Sequence, residues 1–148
     1  MIMQTAGLMY LATSAGSIMV SSTLKPIVNS TISLLSSLRT STSIQDSLEK
    51  VIQEIDLVAS IKTIEATIIA MDCSNEPLKT ASENVIAAVQ QINNILTQIA
   101  DITACHQSGY ISRWRTLDLG NEITEIRVTM NIVDKRFVLL CNINSMKK

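Results

Sequence analysis

Residues 78–102 read LKTASENVIAAVQQINNILTQIADI, and residues 119–140 read LGNEITEIRVTMNIVDKRFVLL. In the first stretch Leu78, Ala81, Val85, Ala88, Ile92, Ile95, Ile99 and Ile102 are separated by three or four residues throughout. In the second, Leu119, Ile123, Ile126, Met130, Val133, Phe137 and Leu140 keep the same spacing. Three-and-four spacing holds side chains on one face of a helix, and a period near 3.5 suits the shallow crossing of a helical bundle. Two long amphipathic helices are therefore expected, near 77–104 and 118–141. Pro77 belongs in the first turn of the earlier one, where its missing N–H costs nothing.

The same spacing spreads to the N-terminal side. Ile44, Leu48, Val51, Ile55 and Val58 form a stripe that slips to Ile61, Ile64, Ile68 and Met71. One helix near 44–72, with its buried face rotated partway along, is the expected form. Before it, Leu24, Val28, Thr31, Leu35 and Leu38 mark a helix near 24–39, and Leu8, Leu11, Ala15 and Ile18 mark one near 4–21. Ser21-Ser22-Thr23 either kinks these two or separates them. The expectation is a single all-α domain over residues 1–148, an antiparallel up-and-down bundle of four helices, or five if the first forty residues divide.

Composition agrees. Of the 148 residues 47% are hydrophobic but only 3% aromatic, so the core must be built from Ile, Leu, Val, Ala and Met. Four glycines and two prolines are too few for a sandwich or barrel with many tight turns. The 12 basic and 13 acidic residues nearly cancel, which leaves no global field to attract nucleic acid. The charges are unevenly placed, however: residues 1–38 carry only Lys25.

Residues 1–24, wholly uncharged, approach the length that spans a bilayer. Eight Ser, Thr and Gln residues interrupt them and no basic stretch precedes them, which argues against a signal peptide or a stable anchor. Gly7, Leu8, Leu11, Ala15, Gly16 and Ile18 remain a candidate contact surface. Their small residues permit close packing against lipid-embedded helices or against a neighbour in a water-soluble bundle. A second candidate is Arg113-Trp114-Arg115, suited to a membrane interface or a partner's pocket. The plainer reading puts Trp114 over one end of the core with both arginines solvated.

Catalytic chemistry is hard to place. His106 is the one histidine, and a histidine at a helix end usually meets the terminal carbonyls. No nucleophile motif, phosphate loop, Glu-x-x-His pair or CxxC spacing is present, so neither an enzyme nor a cofactor or metal is implied. Cys73, Cys105 and Cys141 are odd in number and widely spaced, as expected of buried thiols in a reducing, cytoplasmic setting.

The run Tyr110-Ile-Ser-Arg-Trp-Arg115, then Leu117-Asp-Leu119 and the helix Asn121–Val133, resembles the end of a known group of four-helix domains. These are the N-terminal bundles of mixed-lineage kinase domain-like proteins, fungal HeLo domains and plant mildew-resistance proteins, with a similar run in plant U-box proteins. The likeness covers roughly residues 75–140 by pattern and 1–40 by character. Leu119 or Gly120 stands where those families carry an aromatic residue, and a dense basic face is absent. The resemblance implies a cell-death or immune signalling module that self-associates and perturbs membranes through its first helix, here Gly7–Val20. The competing expectation is a structural or adaptor bundle with a permanent protein interface, as in a viral or cellular assembly.

Overall fold

The computed structural model describes residues 22–39, 46–71, 73, 75–108 and 118–146. The described residues are helical apart from short joints: α1 (22–39), α2 (Asp46–Glu54), α3 (Leu57–Ala70), α4 (Glu76–Ser108) and α5 (Gly120–Met146). The chain is all-α.

α4 is the longest element, 33 residues and roughly 50 Å at about 1.5 Å per residue. Asn75 precedes it, its carbonyl accepting from Lys79 N–H at 2.9 Å. Glu76 and Pro77 follow in the first turn, where a negative charge and a missing N–H are both favourable. The expected stripe is buried from Leu78 to Ile99, and Ile102 half-buried. A second row, Ser82, Ile86, Val89, Asn93 and Leu96, is buried beside it. Two buried rows give α4 two core-facing sides, and of α2, α3 and α5 it is α5 that lies along its backbone most extensively.

α5 begins at Gly120, whose N–H donates to Asp118 Oδ1 at 2.9 Å. It runs to Met146, past the expected end near residue 141. Polar contacts tie neighbouring helices together. Arg136 Nη1, well along α5, donates to the Asn84 carbonyl near the start of α4 at 2.8 Å. Glu54 pairs with Arg127 at 3.0 Å, and further on Ile64 and Phe137 line one groove, so α2–α3 and α5 run the same way.

The expected single helix near 44–72 is in fact two. Ile55 and Asp56 leave the helix, and Asp56 takes a left-handed backbone at φ 48, ψ 51, the one positive φ among the described non-glycine residues. The reason lies in the register. The buried residues of α2 are Leu48, Val51 and Ile52, and those of α3 are Leu57, Ile61, Ile64 and Ile68. Passing from Ile52 to Leu57 takes five residues, one more than a helical stripe allows. The fold absorbs the extra residue in the break. Among the described residues, five helices thus arise, with a division at residues 55–56.

α1 is joined to α2 by a forked ion pair. Arg39 Nη2 and Nε both donate to Glu49 Oε1, at 2.7 and 3.0 Å, and Nε also reaches Oε2 at 3.1 Å. These bonds hold the Glu49 carboxyl below the usual carboxylate range, with Gln53 Nε2 adding a bond at 2.9 Å. A depressed folded-state pKa contributes stability above the ordinary glutamate value, and that contribution is lost as pH falls through the lowered one. The pair is solvent-accessible, so its contribution is about 0.5 kcal/mol. Urea titrations should show Glu49→Gln less stable than wild type at pH 7 and level with it at the acid end. A difference that persists unchanged into acid would contradict this.

Candidate functional site

The residues singled out from the sequence, Gly7, Leu8, Leu11, Ala15, Gly16 and Ile18, and Arg113, Trp114 and Arg115, lie outside the described residues. His106 falls in the last turn of α4, which runs to Ser108, past the expected end near residue 104. Among the described residues no three His, Cys, Asp or Glu side chains gather as a metal site, and no helix is long and apolar enough to cross a membrane. None of the three cysteines forms a disulfide. Cys73 is fully buried, its Sγ 3.4 Å from the buried Ser82 Oγ. Cys105, expected to be buried, is exposed, and Cys141 is half-buried.

What the structure does display is an apolar outer face on α5. Val128 is 56% exposed, Ile132 39%, Leu139 54% and Met146 81%. Together with Lys135 and Asn142 they follow one another at intervals of four, three, four, three and four residues. At about 100° per residue this row lies roughly 155° around the helix from the buried row of Ile126, Met130, Val133 and Leu140. Val138 flanks it, also exposed. α5 is therefore apolar on two faces, and one of them has no described helix against it. The signal was present in the sequence as a second three-and-four row beside the one that starts at Leu119.

Two grooves complete the surface. One, about 420 Å³, runs between α1 and α4 over Ile27, Ile86 and Ala87, with Lys79 and Glu83 on its rim. The other, about 250 Å³, lies between α3 and α5 and is lined by Ala59, Ser60, Thr63, Ile64, Asp134 and Phe137. Desolvation there pushes the Asp134 carboxyl above its ordinary pKa. The α1–α4 groove suits the binding of apolar side chains, with a few polar groups to orient them, whereas the second groove is mixed, with Asp56, Ser60, Thr63 and Asp134 among its lining. No protein-family model, no curated protein and no solved structure matches the chain.

Proposed function

We propose that this protein is a non-enzymatic helical bundle that works by self-association, as in cell-death and immune signalling modules, with its uncharged N-terminal segment as the membrane-perturbing element. The exposed row on α5 carries the reading. Four of its six heptad-spaced positions are exposed apolar residues, with Lys135 and Asn142 between them, a pattern that a partner helix can recognise. The row's intervals are the same read in either direction, so an antiparallel second copy centred near residue 137 fits it. That pairing sets Val128 against Met146, Ile132 against Asn142 and Lys135 against Leu139, which keeps the two lysines apart. Identical patches related by a two-fold axis are the commonest form of self-association.

Area argues that α5 does not act alone. From Val128 to Met146 the row is roughly 27 Å long and about 10 Å wide, or some 540 Å² counted over both partners. Stable interfaces bury about 1,200 Å² or more. Residues 1–24, uncharged and rich in Leu, Met and small residues, are the chain's natural source of further apolar area. In the proposal they add to the protein contact or enter lipid.

Sedimentation and dye release test the two halves separately. Wild type is expected to dimerise with rising concentration and to release dye from anionic liposomes. Leu139→Glu should abolish the first, and Gly7→Glu or Leu11→Glu the second. A chain monomeric at all concentrations, or leakage equal in wild type and the Glu variants, would sink the corresponding half. The second reading, a permanent structural interface, is favoured by one observation, that the α5 face is open in the folded bundle. It predicts a constitutive oligomer that never floats with lipid.

A further inference from the structure

The break at Ile55–Asp56 divides two apolar rows that one straight helix could not bury together. With Leu48 at zero and about 100° per residue, Val51 and Ile52 fall within roughly 60° of it, but Leu57, Ile61, Ile64 and Ile68 fall near ~180°, ~220°, ~160° and ~200°. All seven are at most 2% exposed. In a continuous helix over 46–70 they would occupy opposite faces. The left-handed turn at Asp56 is what brings both rows to the same core.

That turn is held weakly. A left-handed backbone disfavours residues bearing a Cβ, although Asp is among the more tolerant. Asp56 has no side-chain bond capping α3. Few bonds close the joint: Asp56 N–H donates to the Gln53 carbonyl at 3.1 Å, Ser60 N–H to the Asp56 carbonyl at 2.9 Å, and the Ser60 hydroxyl to the Ile55 carbonyl at a long 3.5 Å. The neighbouring packing is also incomplete. The groove of about 250 Å³ opens beside Asp56 and Ser60, and the backbone of α3 comes close to α4 and α5 at few points.

We propose that Ile55–Asp56 is a conformational switch: broken, it keeps the α3 row inside the bundle, and when α2 and α3 join into one helix that row turns outward to pair with the same row of a second copy. The α3 intervals, four, three and four from Leu57 to Ile68, also read the same in both directions, so an antiparallel copy fits them. The proposal deepens the self-association reading by supplying its trigger, on a surface distinct from the outer face of α5.

The test uses full-length protein with substitutions at the joint. Asp56→Gly removes the Cβ that opposes the left-handed turn and should lock the break. Asp56→Ala opposes the turn and favours helix. Backbone carbon chemical shifts at residues 55–57 report which conformation is present, and sedimentation reports association. Asp56→Ala is expected to become helical at residue 56 and to associate about tenfold more tightly, while Asp56→Gly stays left-handed and associates less than wild type. Ile126→Val, a core change on α5 that leaves the joint's own residues intact, controls for simple destabilisation and should not promote association. In the Asp56→Ala, Leu139→Glu double variant the gain should survive, and its disappearance would assign the effect to the α5 face alone. A left-handed residue 56 in Asp56→Ala, helical joining without tighter association, or an equal gain in Ile126→Val would each overturn the switch.

Discussion

Leu96→Ala is expected to lower the stability of the bundle by about 3 kcal/mol and its melting temperature by roughly 10 °C, whereas Leu139→Ala should leave stability within about 0.5 kcal/mol of wild type. The two substitutions delete the same atoms. Leu96 is 0% exposed on α4, in the second of that helix's two buried rows, with Val89 and Asn93 before it and Ile99 beyond. Its removal takes apolar area from the interior and leaves a cavity that neighbouring helices cannot fully close. Leu139 is 54% exposed, so alanine there forfeits little packing and creates no void. Thermal and urea unfolding of both variants checks the contrast. Equal losses would mean that the outer face of α5 is covered in the folded monomer, which would also remove the surface on which self-association is proposed.

Some of this architecture is legible in the sequence because helix burial has a period. The rows from Leu78 to Ile99 and from Leu119 to Leu140 obey it without interruption, as does Leu24, Val28, Thr31, Leu35 and Leu38 on α1, and all but Ile123 and Phe137 are buried. Those two are half-buried. The division of α2 from α3 is less legible. Ile55 and Val58 offer a continuous stripe from Leu48, so the pattern reads as a slipping helix, although Leu57 is the residue that the core takes. Choosing between Leu57 and Val58 depends on tertiary packing, to which a one-dimensional pattern is blind. The second row of α4 went unmarked for a related reason: Ser82 and Asn93 interrupt it with polar groups, and their burial follows from partners on other segments, Cys73 and α1. The outer row of α5 was masked by the stronger row beside it, since a helix apolar on two faces shows neither clearly.

Asn93 supports the other large prediction. It is 9% exposed, and its Nδ2 donates to Thr31 Oγ1 and to Ser30 Oγ on α1, each at 3.0 Å. Thr31 is fully buried and donates its own hydroxyl proton to the Ile27 carbonyl at 2.7 Å, so its oxygen is available to accept from the amide. The three groups form a directed chain across the α1–α4 seam, amide to hydroxyl to carbonyl, each bond polarising the next. Apolar residues adjoin this polar step on both helices: Val28 and Leu35 on α1, Val89 and Leu96 on α4. Sliding α1 by one turn would put the amide against Val28 or Leu35 and leave it unpaired in an apolar layer, at about 1–3 kcal/mol. The chain therefore fixes which turn of α1 meets α4, as a single buried Asn fixes register in a coiled coil. Asn93→Ala should cost about 2 kcal/mol, through the lost bonds and the space left behind. Asn93→Leu should come within about 1 kcal/mol of wild type, because an apolar side chain of similar size fills the site without an amide to satisfy. The two variants part in a second measurement. Amide exchange along residues 22–39 should speed up in Asn93→Leu more than its stability explains, because nothing then opposes a one-turn slide of α1. A double-mutant cycle with Thr31→Val should return a coupling of about 1 kcal/mol. Zero coupling, or wild-type exchange in Asn93→Leu, would place the register of α1 in its apolar row alone, and Asn93 would then be a polar residue that the core tolerates rather than uses.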